Sequence, residues 1–146
     1  MKILILCTGN SCRSQMAQGF LESFDSKIEV HSAGTDPGRE VNPKAIGVMA
    51  EAGIDISSHF PKKVDRYLNK DWDYVITVCD AANETCPVFP GKVKHRLHMG
   101  FDDPSKVVGS EELIRSEFLR IRDLIKSTFH DFYSKNIKGK KTTDTT

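Results

Sequence analysis

Lys2-Ile3-Leu4-Ile5-Leu6-Cys7-Thr8-Gly9-Asn10-Ser11-Cys12-Arg13-Ser14 decides the fold, because the patterning changes character within it. Lys2 to Leu6 is almost wholly apolar, as expected of a parallel strand buried on both faces. From Arg13 the period turns helical: Met16, Ala17, Phe20, Leu21 and Phe24 fall on one stripe, with Gln15, Gln18, Glu22 and Ser23 between them. A strand therefore feeds a helix through the short loop Thr8 to Cys12.

That loop has the spacing Cys-x5-Arg, from Cys7 to Arg13. A tight loop entering a helix N-terminus turns successive backbone N–H groups inward and forms a nest for a tetrahedral oxyanion. The expected binding stretch is Thr8, Gly9, Asn10, Ser11, Cys12, Arg13 and Ser14. Gly9 is expected to adopt a backbone conformation closed to most residues, and Asn10 tolerates left-handed geometry. The planar fork of Arg13 matches two oxygens of a phosphate-like ligand. The same donors, with the Ser14 hydroxyl, are expected to favour the thiolate of Cys7 and make it a nucleophile. No Gly-Lys-Ser/Thr follows, so this is not a Walker-type loop.

Further along, Ile28 to His31 reads as a second strand, followed by a turn-rich stretch from Gly34 to Glu40. Asn42 can cap a helix with Pro43 at its first position; Ile46, Met49 and Ala50 supply the apolar face, and Gly53 suits its end. Tyr74 to Val78 is a β-branched run, a buried strand by the same reasoning. Asp80 to Lys92 holds Pro87, Pro90 and Gly91 and reads as a loop with room for one helical turn, and Val93 to His98 is a weaker strand. Ile114, Phe118, Ile121, Ile125, Phe129 and Phe132 form the stripe of a helix from about Glu111 to Tyr133. Residues 1–133 are expected to form one catalytic domain. Ser134 to Thr146 has a single apolar residue and is expected to be a disordered polar tail. Alternating strands and helices argue an α/β fold on a parallel sheet.

Lys plus Arg total 21 against 20 for Asp plus Glu, so no bulk field draws nucleic acid or anionic lipid, and any anion site must be local. The apolar run after Met1 is too short for a secretory signal, and no stretch approaches a membrane span; a cytoplasmic location is expected. In a reducing compartment four cysteines point to catalysis or metal binding before a disulfide framework. Cys7-x4-Cys12 and Cys79-x6-Cys86 lack the close spacing of zinc knuckles, so no metal is expected. The five histidines, His31, His59, His95, His98 and His130, show no ligand spacing.

The loop, taken with Asp103-Pro104 far downstream, resembles the low-molecular-weight protein tyrosine phosphatase superfamily. The resemblance covers Lys2 to about Tyr133. It implies a three-layer sandwich with a four-stranded parallel sheet, and it makes the aspartate before the proline, Asp103, the general acid. Asp102 stands beside it, and only the match to Asp-Pro chooses between the two. Both branches of the superfamily can carry a cysteine where Cys12 stands, so Cys12 discriminates nothing.

The segment Cys79-Asp80-Ala81-Ala82-Asn83-Glu84-Thr85-Cys86-Pro87 resembles thioredoxin-coupled arsenate reductases, which have a redox cysteine pair after the third strand. Ser14-Gln15-Met16-Ala17, Asn42-Pro43-Lys44-Ala45-Ile46, Ile54-Asp55-Ile56-Ser57 and Gly100-Phe101-Asp102-Asp103-Pro104 extend the likeness. Phosphatases commonly have a proline at Gln15 and a tyrosine at Ser105. The resemblance implies reduction of arsenate, with phosphate or sulfate as competing oxyanions. Cys7 attacks arsenic while Asp103 protonates the departing oxygen, and Cys79 then Cys86 carry the disulfide out to thioredoxin. It implies no tightly bound cofactor. Some of these reductases bind potassium through an asparagine, a glutamate, a serine and an aspartate; Asn10 and Ser32 match, but Gln18 and Lys62 stand at or near the acidic positions. A phosphatase whose extra cysteines protect Cys7, and a non-catalytic oxyanion-binding module, are the competing readings.

Overall fold

The computed structural model describes residues 1–80, 82 and 86–138. The apolar run opens the chain as β1, Lys2–Cys7, whose Ile3, Leu4, Ile5 and Leu6 are wholly buried. The loop then delivers α1, Arg13–Phe24. There follow β2 (Glu29–Gly34), α2 (Pro43–Glu51), a 3-10 turn at Val64–Tyr67, β3 (Trp72–Thr77), β4 (Val93–His98), a 3-10 turn at Pro104–Lys106, and α3 (Glu111–Asn136). The sheet has the order β2-β1-β3-β4, and every pairing is parallel. This is the four-stranded α/β architecture expected. β1 sits in the interior with neighbours on both sides, which is why its side chains are apolar on both faces.

The faces follow from strand alternation. Tyr74 stacks edge-on against Phe132 of α3, and Ser32 donates to Gln18 of α1, so the faces bearing these two residues meet α1 and α3. His31, on the other face, tilts against Tyr67, so the 3-10 turn covers that face as the third layer. Met16, Ala17, Phe20 and Leu21 of α1 and Phe118, Ile121, Ile125, Phe129 and Phe132 of α3 are buried on the expected stripes. Asn42 caps α2 by accepting from Lys44 N–H at 2.9 Å, and Gly53 takes the positive φ of 81° beyond its end. Ser110 caps α3 by accepting from Leu113 N–H.

Several boundaries differ from expectation: β1 runs to Cys7, β2 starts at Glu29, and β3 spans Trp72–Thr77 in place of Tyr74 to Val78. β2 runs on to Gly34, because its residues pair with β1 all the way to Cys7. The last helix does not stop at Tyr133: Ser134 to Asn136 are helical, Ile137 is 5% exposed, and both Ile137 and Lys138 N–H groups close onto Tyr133 O. The single apolar residue of the supposed tail is thus a docking residue that adds most of another turn. The rest of the expected tail, 139–146, lies outside the described residues. Among the described residues no helix is long and apolar enough to cross a membrane.

Candidate active site

The parallel strands end at one edge of the sheet, where the loop after β1 crosses to α1. Asn10 has φ 50°, in the left-handed region, while Gly9 has no positive φ. The strained position is therefore Asn10 alone, and the expected conformational role of Gly9 is not the one it performs: a side chain there would meet only Ser11 Oγ, at 3.3 Å. Asn10 is wholly buried, and the desolvation of its side chain is offset because both its oxygen and its nitrogen are hydrogen-bonded. Its Oδ1 accepts from Lys62 N–H at 2.9 Å and Gln15 Nε2 at 3.2 Å, and its Nδ2 donates to Ser14 Oγ at 2.7 Å. The position that demands glycine is Gly34, where an added Cβ would collide with Thr8 O.

Cys7 is 2% exposed and lies at the loop's centre. Asn10 N–H donates to its Sγ at 3.0 Å, and Ser14 Oγ stands 2.9 Å away. Since Ser14 Oγ already accepts from Asn10, its own hydrogen is free to donate to the sulfur. Burial pushes the Cys7 thiol up, more than the Ser14 hydroxyl and the Asn10 amide pull it down. The expected preference for thiolate is therefore corrected: the donors act in the expected direction, but desolvation outweighs them. Cys12 ends the loop at the N-cap of α1, also buried; desolvation pushes its thiol far up, Asp103 adds to this and Arg13 opposes it.

A cavity of about 530 Å³ opens over the loop, lined by Cys7, Arg13, Cys79 and Asp103 among others. Arg13 Nη1 donates to Phe101 O at 3.0 Å, and its Nη2 lies 3.4 Å from Asp103 Oδ2. Asp103 Oδ1 accepts from both the N–H and the hydroxyl of Ser105. Asp102 also lines the cavity, but its side chain is 85% exposed and pairs with Arg120 of α3, whereas Asp103 lies against Arg13. Cys79 is buried, with Sγ 3.3 Å from Thr8 Oγ1. Thr8, Gly9, Ser11 and Cys12 line the same cavity, whereas Asn10 and Ser14 work from beneath it.

Cys86 is not gathered there. It is half-buried in a second hollow with Thr77, Arg96 and His98, and all four cysteines are free thiols. The four sulfurs are thus split between two places. Among the described residues no group of three or more His, Cys, Asp or Glu side chains is placed to hold a metal ion. Ser32 Oγ donates to Gln18 Oε1 at 2.6 Å, so the two polar groups at the potential cation positions bond each other. Lys62 is tied by its backbone N–H to Asn10 and by its Nζ to Phe60 O; burial lowers its amine to about 8. Of the intervening segment, Asp80 and Ala82 are helical; Ala81, Asn83, Glu84 and Thr85 lie outside the described residues.

Sequence reasoning missed several neighbours. Asp80 and Lys106 line the cavity. His59, given no role, bonds Gln15 Oε1 through Nδ1 at 3.0 Å, and His98 spans Thr77 Oγ1 and Asp80 Oδ1. These partners are far apart in sequence, and no local pattern announces them.

A family model described as low molecular weight phosphotyrosine protein phosphatase matches residues 2–143, and the chain belongs to that family. Within it, the chain stands close to proteins named arsenate reductase. It is 46% identical over 131 residues to the arsenate reductase of Staphylococcus aureus (strain N315), covering 89% of this chain and 94% of that one. A solved arsenate reductase in a phosphate-binding state matches with TM-score 0.76 and 32% identity, over 92% of this chain and 97% of the other. A thioredoxin-dependent arsenate reductase of Corynebacterium glutamicum matches with TM-score 0.57 and 34% identity, over 89% of this chain and 62% of that one.

Proposed function

We infer that the protein reduces arsenate to arsenite. The observation that carries this reading is a second thiol, Cys79, facing the same cavity as the Cys7 nucleophile above an oxyanion loop. Hydrolysis of a phosphate ester needs only the first thiol, whereas reduction of arsenic from the +5 to the +3 state needs two electrons, which two thiols provide when they become a disulfide.

Arsenate is tetrahedral like phosphate and seats in the nest of loop amides and the Arg13 fork. Cys7 Sγ forms a bond to arsenic, and its proton leaves with one arsenate oxygen as water; in this reading Asp103, which lines the cavity, carries that proton. Cys79 Sγ then attacks Cys7 Sγ. The sulfur–arsenic bond breaks, its electron pair stays on arsenic, and arsenite departs as the Cys7–Cys79 disulfide forms. Cys86 next attacks Cys79 and frees Cys7 as a thiolate, leaving a Cys79–Cys86 disulfide for a dithiol donor of the thioredoxin type. The likeness to a thioredoxin-dependent reductase supports that donor.

The test is arsenate-dependent NADPH oxidation with thioredoxin and thioredoxin reductase, beside an aryl phosphate assay. Turnover of arsenate by the wild type and slow phosphate release are expected. Brisk hydrolysis with no arsenate turnover would make the protein a phosphatase.

A further inference from the structure

The relay needs Cys86 to attack as a thiolate, yet Cys86 lies outside the oxyanion cavity and gains nothing from the loop amides or Arg13. Its surroundings are supplied by the edge strand. On β4, Arg96 and His98 are alternate residues and so share a face; they pair in register with Val75 and Thr77 of β3. His98 Nε2 lies 2.9 Å from Asp80 Oδ1, immediately after Cys79. Arg96 Nη1 donates to Cys86 Sγ at 3.7 Å. One strand face therefore carries Arg96 against the Cys86 sulfur and His98 against Asp80, the residue that follows Cys79 in the chain.

Arg96 is exposed, but its guanidinium is held in place. It lies over the ring of Phe89 at 5.3 Å, and Phe89 is itself 6% exposed, so the stack fixes where the fork points. Among the described residues, the thiol of Cys86 donates to Pro87 O over a long 3.8 Å.

Resting on the reductase reading above, we propose that Arg96 is a catalytic residue of the second thiol exchange, stabilising the Cys86 thiolate as it attacks Cys79. In that step the Cys79–Cys86 bond forms and the Cys7–Cys79 bond breaks. The electron pair passes to Cys7 Sγ, which takes a proton from solvent, while the Cys86 proton has gone to solvent beforehand. The step needs no outside oxidant. Arg96 contributes charge at the attacking sulfur, where a compact cation can replace it and a neutral amide cannot.

The experiment uses the full chain with arsenate, quenched by acid and analysed for disulfide species by mass spectrometry, in wild type, Arg96→Gln and Arg96→Lys. For an exposed pair of this kind, Arg96→Gln should slow the second exchange about two- to fivefold. The Cys7–Cys79 species then accumulates at the expense of Cys79–Cys86, and alkylation of Cys86 at neutral pH falls in the same proportion. Arg96→Lys should restore both. The inference is overturned by a species distribution in Arg96→Gln equal to that of the wild type, or by Arg96→Lys being as slow as Arg96→Gln, which marks a packing role. Should the wild type yield no disulfide with arsenate, the reductase reading itself fails, an outcome distinct from an inert Arg96.

Discussion

Asn10 is the residue on which the oxyanion loop hangs. Its side chain joins the loop to Lys62, Gln15 and Ser14, and through Ser14 to Cys7. Ser14→Ala removes the hydroxyl that pulls the Cys7 thiol down against burial. The pH profile of Cys7 alkylation should therefore move to higher pH, and at a fixed neutral pH the rate should fall; an unchanged profile would show that the hydroxyl does not reach the sulfur. Gly34→Ala should disrupt the loop, since its methyl group meets Thr8 O, with oxyanion affinity in a phosphate titration as the readout. At this scale Cys7, Arg13 and the left-handed Asn10 were legible, because the Cys-x5-Arg spacing and the Asn side chain carry their reasons with them. Gly34 was not, because its constraint comes from a loop that returns from 26 residues earlier in the chain, between Thr8 and Gly34. The burial that raises Cys7 was equally invisible, being a property of the packed cavity and not of the motif.

Among the elements, α3 carries the clearest signal. Its stripe of Phe118, Ile121, Ile125, Phe129 and Phe132 is buried as the period requires, whereas its end was misplaced because Ile137 docks only in three dimensions. Ile125 is wholly buried, and Ile125→Ala should cost about 2–5 kcal/mol of stability, read by urea denaturation. A loss below 1 kcal/mol would mean that the site collapses around the smaller side chain. The edge strand β4 was the faintest of the four, since its Lys94, His95, Arg96 and His98 look polar throughout. Only its pairing with β3 shows why: an edge strand facing water on one side is free to spend alternate positions on the residues beside Asp80 and Cys86.

For the molecule as a whole, the near balance of charge leaves stability dependent on a few buried titrating groups. Burial pulls the His59 imidazole below its ordinary value, with Lys62 adding to this and Glu22 and Asp55 opposing it. The unfolded chain then takes up that proton at a higher pH than the folded one, so stability is present above the ordinary imidazole value of 6.5 and falls as pH drops below it. Thermal unfolding at pH 7 and pH 5 should show the fall, and His59→Asn, which keeps a donor near Nδ1 for Gln15, should flatten it. The layered parallel sheet was legible because β1 is apolar on both faces. The split of the thiols between two hollows was not, and it sets the requirement of the proposed relay: in that reading a disulfide made at the loop is carried to Cys86. The most direct test is a single-turnover assay of arsenite release without any external reductant, in wild type, Cys79→Ser and Cys86→Ser. The relay predicts arsenite in proportion to enzyme from wild type and Cys86→Ser, the latter stopped at a Cys7–Cys79 disulfide, and none from Cys79→Ser. Arsenite released by Cys79→Ser at the wild-type level would contradict it.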